Sequence, residues 1–143
     1  AAARIGRTVR NAAMFGPPGI AYVYRIYGMH WCLNAVTGAP GHPAAVLIRA
    51  VEPLAGLDTM RARRGVRART SDRDLARGPG RLAEAFGITG ALDRHPLQQP
   101  PLWVAAGEPI AAERIGVGPR IGVTRAADWE LRFFEKGSRW VSG

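Results

Sequence analysis

Two β-prone runs separated by a glycine commit this chain to an antiparallel sheet. Ile20 to Tyr27 reads Ile-Ala-Tyr-Val-Tyr-Arg-Ile-Tyr, aromatic and β-branched residues suited to a pleated surface. Trp31 to Val36 forms a second run, and Gly28 lies between them. The pair is predicted to be a hairpin with its tip near Tyr27-Gly28-Met29. Ala44 to Val51 is a short apolar run that suits a buried strand. Leu102 to Ala105, Arg120 to Thr124 and Leu131 to Phe134 read as further strands.

Helical signals are fewer. Leu57 to Arg64 places Leu57, Met60 and Arg61 on one side of a short helix. Arg81 to Phe86 follows Gly78-Pro79-Gly80 and stops at Gly87. Residues 1–18 are small and basic, end in Gly16-Pro17-Pro18-Gly19, and read as an arm or loop. Thr37 to Pro43, the charged stretch Arg63 to Arg77 and residues 89–101 read as loops. The expected fold class is α+β: one domain over residues 1–143, built on a curved, mainly antiparallel sheet, open-barrel or roll-like, with a few surrounding helices. A length of 143 residues fits one domain and buries a core without covalent staples. With only Cys32 and three scattered histidines, no internal disulfide or metal cluster is expected, and no cofactor. No apolar run approaches the ~18 residues of a membrane span, and no signal-peptide pattern opens the chain. A cytoplasmic monomer is expected, nucleoid-associated if the source is bacterial.

Charge narrows the partner. The formal net charge is +9. Residues 1–81 hold thirteen arginines against four carboxylates, while residues 82–143 are balanced at seven against seven. A polyanion is the natural partner of such a surface. A GC-rich genome accounts for nineteen arginines beside one lysine, but not for the shortage of acids. The first carboxylate is Glu52, so chemistry placed in residues 1–51 proceeds without an acid or base of that type.

The densest motif runs from Tyr22 to Asn34. In an extended strand Tyr22, Tyr24 and Ile26 share one face, and Val23, Arg25 and Tyr27 the other. An amphipathic ring at a hairpin tip is the kind of wedge that enters a base stack, and Arg25 on its face can meet a phosphate. On this pattern alone, sheet packing is the favoured account of three tyrosines in a strand, since aromatics are common there. Gly78-Pro79-Gly80-Arg81 opens a helix with outward amides and a cation, a phosphate-binding arrangement or simple helix entry. Arg61, Arg63, Arg64, Arg67 and Arg69 read as a solvated basic face or loop, or as a track for a DNA backbone.

The blocks Tyr22 to Asn34, Val46-Leu47-Ile48-Arg49-Ala50-Val51-Glu52-Pro53, Gly78-Pro79-Gly80-Arg81-Leu82 and Arg120-Ile121-Gly122-Val123 resemble the alkyladenine (3-methyladenine) DNA glycosylase family. Arg10-Asn11-Ala12-Ala13-Met14-Phe15 and Gly137-Ser138-Arg139-Trp140-Val141-Ser142 agree in the same order. The resemblance implies a base-excision repair enzyme that flips alkylated or deaminated purines from duplex DNA and hydrolyses the N-glycosidic bond. Tyr27 resembles the intercalating tyrosine, and Tyr24 an aromatic wall of the base pocket. Asn34 resembles the residue that rejects guanine's exocyclic amine, and Arg49 the arginine that holds the attacking water. Arg10, Met14, Gly80, Arg81 and the Val123 region match segments near DNA or the pocket.

The resemblance also carries a departure. The family's general base is a glutamate in a Glu-x-x-x-Tyr-like segment upstream of the Arg10 block, and a histidine falls near Ala2. Neither is found in these residues, and Val9 stands where the family commonly has proline. The chain opens on Ala, so an N-terminally incomplete domain is expected. Loss of a general base alone costs roughly 10²–10⁴-fold, although a cationic leaving base such as 3-methyladenine needs less help. Two alternatives stand beside the enzyme: an inactive lesion-DNA-binding protein, and a basic RNA-associated domain. All three require salt-sensitive binding. Neutralising about six phosphates weakens nucleic-acid affinity ~10³-fold between 50 and 200 mM salt, measurable by a fluorescence-anisotropy titration series.

Overall fold

The predicted hairpin is present and carries the rest of the sheet. The protein is described by a computed structural model over residues 11–65, 70–121 and 132–141. Strand β1 (Ala21–Ile26) pairs antiparallel with β2 (His30–Val36), with Ala21 opposite Ala35 and Ile26 opposite His30. Strand β3 (Ala45–Leu47) pairs on the far side of β2, placing Leu47 opposite Asn34. The predicted strand over 44–51 is shorter in the ladder because the chain turns away. Ile48 N–H still bonds Leu33, but Ala50 bridges Arg77 instead.

Alternation along β1 and β2 divides the core. Ala21, Val23 and Leu33 face Leu82, Ala83, Ile88 and Leu97, and most of that cover comes from helix α2 (Pro79–Ala85) and the residues after it. The opposite face buries Tyr22 and Val36 against Ala13 and Met14. Those two come from a 3-10 turn, Ala12–Phe15, inside the segment read as an arm or loop. Small residues let that turn approach the tyrosine face closely, and Ala13 is only 2% exposed.

Helix α1 (Leu57–Arg64) spans the predicted residues and ends at Gly65, whose φ of 62° is left-handed. It buries Met60 against Leu75 and Ala85. The charged stretch behind it is not a solvated basic face in its described part. Arg61 donates to the Thr70 carbonyl at 3.1 Å and pairs with Asp72. Arg63 reaches the Ala85 carbonyl at 3.2 Å, and Arg64 the Leu75 carbonyl at 3.3 Å. These arginines satisfy backbone acceptors that helix ends and loops leave open. Arg67 and Arg69 lie outside the described residues.

Helix α2 starts two residues before the predicted Arg81, with Pro79 in its first turn, where a missing N–H costs nothing. Gly87 follows with φ 67°, as a helix stop requires. Within the predicted 89–101 loop, Gly90–Leu92 forms a 3-10 turn capped by the Thr89 hydroxyl. Strands β4 (Gln98–Gln99) and β5 (Leu102–Trp103) make a two-residue ribbon.

Strand β6 (Ile115–Gly118) pairs antiparallel with β7 (Arg132–Glu135). The sequence reading missed β6, because its two glycines erase the side-chain alternation. Gly116 leaves room for the Phe134 ring, which a Cβ there would meet at 2.4 Å. Of the strand expected at Arg120 to Thr124, Arg120 and Ile121 are in no strand, and 122–124 lie outside the described residues. The described pairings form sheets of three, two and two strands beside helices. The fold is α+β with antiparallel sheets, and among the described residues no barrel closes. Leu75 is 0% exposed, so Leu75→Ala is expected to lower stability by about 2–5 kcal/mol in urea unfolding.

Candidate nucleic-acid interface and base pocket

β1 gives way to the turn at Ile26. The Met29 N–H closes on the Ile26 carbonyl at 3.0 Å, and the two central residues, Tyr27 and Gly28, have φ of 53° and 65°. That mirror-image turn matches strand twist. Glycine adopts it freely; a side-chain-bearing residue there costs ~1–2 kcal/mol. Tyr27 therefore holds a strained backbone, and its ring is 88% exposed. An exposed aromatic on a strained turn is the combination that functional sites retain.

This geometry corrects the shared face expected for Arg25 and Tyr27. Tyr27 has left the extended strand, so strand alternation no longer governs it. Arg25 lies over the Trp31 ring, 5.2 Å from its centroid, directly across the ladder. Its guanidinium stays exposed above a tryptophan that packs on the core.

A second cluster forms on the other face. Tyr24 is half-buried and sits opposite Cys32; Tyr22 is buried and sits opposite Asn34. The Tyr22 and Tyr24 ring centroids are 5.1 Å apart. Asn34 is 6% exposed and donates its Nδ2–H to the Tyr22 carbonyl at 3.2 Å, which fixes the carboxamide's direction. Arg49 is half-buried beside Tyr24 and Cys32. Burial, reinforced by the charge of Arg132, pushes the Arg49 guanidinium below the usual arginine range, while Cys32 and Tyr24 oppose that shift. It remains a cation. Its buried Nε has no hydrogen-bond partner among the described residues, a state it shares with Arg61 and Arg64. Burial raises the Cys32 thiol above its ordinary range, against the pull of Arg49 and a hydrogen bond with Tyr24. A buried neutral thiol is a poor nucleophile.

The remaining expected contacts are dispersed. Met14 is 6% exposed, and its side chain is occupied by the core beneath Tyr22, so it does not face solvent as a DNA contact. Arg81 is exposed and lies 3.8 Å from Asp74, which also holds Arg77 at 2.8 Å. The Gly78 N–H is already bonded to the Arg49 carbonyl at 2.9 Å, and Pro79 has no N–H. The expected phosphate cradle is therefore reduced to the amides of Gly80 and Arg81. Arg10 and Val123 lie outside the described residues. Cys32 and Arg132 were not singled out as site neighbours. Hairpin register places Cys32 opposite Tyr24 and was accessible in principle; nothing local marks Arg132. Among the described residues no three His, Cys, Asp or Glu side chains are grouped to hold a metal, and no helix is long and apolar enough to cross a membrane.

Residues 1–139 match the family described as Methylpurine-DNA glycosylase (MPG). A protein of Rhodopseudomonas palustris strain HaA2, named "Putative 3-methyladenine DNA glycosylase", is 54% identical over 137 residues, covering 96% of this chain and 66% of the relative. A Methanoculleus marisnigri protein of the same printed name is 53% identical over 140 residues, covering 96% of this chain and 71% of its own length. A Carboxydothermus hydrogenoformans protein so named is 46% identical over 138 residues, with 96% and 71% covered. The chain belongs to the methylpurine-DNA glycosylase family, a family of DNA repair hydrolases, and spans about two thirds of the length of these relatives.

The strained tip yields a direct test. Tyr27→Gly relieves the left-handed backbone and is expected to raise unfolding stability by about 1 kcal/mol, less whatever freedom glycine adds to the unfolded chain. The same variant is expected to lose duplex affinity, as read by denaturant melts and binding titrations side by side.

Proposed function

We propose that residues 1–143 form one domain that reads duplex DNA and holds the target base of a base-excision glycosylase acting as a monomer on alkylated or deaminated purines. The observation that carries this reading is an exposed tyrosine at the tip of a hairpin whose Tyr22–Tyr24 face lies beside the half-buried Arg49. Flipping a purine out of the stack costs a few kcal/mol, least for a damaged pair. Tyr27 fills the vacated space, where base–aromatic stacking returns ~1–3 kcal/mol. Tyr24 forms a wall against the extruded purine. Asn34, its carboxamide fixed on β1, opposes the exocyclic amine of guanine. Exposed Arg25 and Arg81 meet phosphates and set the register.

Hydrolysis breaks the bond between C1′ and the purine as a water oxygen bonds to C1′. Arg49 orients that water as an N–H donor and cannot accept its proton. Among the described residues the groups acting on Arg49 electrostatically are Arg132, Cys32 and Tyr24, none of them a carboxylate. The purine leaves with the electron pair of the broken bond, and the resemblance assigns the water's proton to the family's glutamate upstream of Arg10. A lesion-binding role without hydrolysis is the second reading, favoured by the lack of a carboxylate among those described groups.

The experiment compares duplexes carrying hypoxanthine, 3-methyladenine or an abasic site with an undamaged duplex. The protein is expected to prefer the modified duplexes, and Tyr27→Ala to reduce that preference about tenfold, the stacking contribution of one base. Base release by chromatography supports the glycosylase. Preference without release moves the conclusion to lesion binding, and equal affinity for all duplexes refutes both.

A further inference from the structure

The Tyr27 tip and the backbone of Arg49 meet a common neighbour. Gly78 donates its N–H to the Arg49 carbonyl at 2.9 Å. Ala50 bridges Arg77, and the Val51 N–H reaches the Ala76 carbonyl at 3.3 Å. The backbone that carries the Arg49 guanidinium is thus tied to residues 76–78. Two residues further on, Gly80 lies in the first turn of α2 directly against the His30 ring. A Cβ on Gly80 would stand 3.1 Å from His30 Cγ and 3.2 Å from its Cβ and Nδ1, inside the ~3.5–4.0 Å at which carbon atoms settle. His30 opens β2, next to the Met29 amide that closes the tip turn. α2 is itself immobilised, because Leu82 and Ala83 are buried beneath β1 and β2.

Gly80 has no left-handed φ, and alanine would favour the helix. Backbone geometry therefore does not require glycine here; what a side chain would meet is His30, which would have to shift by a few tenths of an ångström. Between the hairpin and α2 runs a groove of about 260 Å³, lined by Met29, His30, Trp31, Arg63, Gly80 and Glu84. With that open space beside it, the imidazole's seat on Gly80 ties the tip region to the helix.

We infer that the Gly78-Pro79-Gly80 turn is a positioning element that holds the Tyr27 tip and the Arg49 backbone in fixed relation, Gly80 acting by seating His30 and Gly78 by its bond to Arg49. The inference rests on the reading of Tyr27 as wedge and Arg49 as water holder, and it gives Gly80 a role other than phosphate binding.

The test uses the full protein with Gly80→Ala and Gly80→Val, each made with His30 intact and with His30→Ala. Gly80→Ala guards against a folding failure in the larger variant. Three quantities are read: hydrogen exchange of the Met29 amide, the ratio of affinities for abasic and undamaged duplex, and the salt slope of binding. Gly80→Val is expected to speed Met29 exchange and to lower the affinity ratio by about threefold or more, with Gly80→Ala between it and the parent. Both effects vanish once His30 is alanine, and the salt slope is unchanged. Equal losses in both His30 backgrounds overturn the inference. So does a fall of about one in the salt slope, which marks a lost phosphate contact. If the parent itself shows no preference for the abasic duplex, the glycosylase reading fails, and Met29 exchange across the variants still decides whether Gly80 seats the tip.

Discussion

The β1–β2 ladder is the constraint on which the rest depends. Its register decides that Tyr24 meets Cys32 and Tyr22 meets Asn34, while Val23 and Leu33 turn to the other side. A slip of one residue exchanges the two faces and sends the tyrosines into the α2 core. Core packing on both sides opposes that slip: Ala21 and Val23 are buried under α2 and its neighbours, Tyr22 and Val36 under the Ala12–Phe15 turn. A hairpin packed on both faces carries its tip rigidly, and a rigid tip keeps Tyr27 in a left-handed turn that relaxed chains avoid.

The basic excess separates into two populations. Arg61, Arg63 and Arg64 bond carbonyls or carboxylates of the protein itself and join α1 to the loop beyond it and to α2. Their charge contributes to the overall field, while part of their donor capacity is spent on the protein itself. Arg25 and Arg81 are exposed, the first over the Trp31 ring and the second 3.8 Å from Asp74. Arg49 differs from both groups, being half-buried beside a tyrosine, a cysteine and Arg132. A count of arginines in a sequence does not distinguish a surface that attracts phosphate from a set of side chains that cap the protein's own backbone.

Legibility followed the range of the interaction. The hairpin, α1 and the stop at Gly87 were readable because residue preference and turn chemistry are local. The exposed Tyr27 tip was placed correctly, but its φ of 53° was not foreseen, since nothing in the residue type announces that a tyrosine will stand where glycine is favoured. Strand β6 was hidden because Gly116 and Gly118 have no side chains to alternate; its partner β7 defines it. Met14, expected near DNA or the pocket, packs in the core beneath the tyrosine face, because that face needs an apolar cover and the Ala12–Phe15 turn supplies it. Arg10 and Val123 remain expectations on residues outside the described structure.

Sequence alone determined the antiparallel hairpin, the sign and location of the charge excess, and the family, each of which is written in local residue order. Tertiary structure decided which arginines are occupied, which face of the sheet is covered, and that Gly78 and Gly80 touch both Arg49 and His30. Those relations join residues 29 to 50 positions apart along the chain, here Arg49 to Gly78 and His30 to Gly80. Such pairs meet only after hydrophobic burial has folded α2 onto the sheet, so no local pattern encodes them.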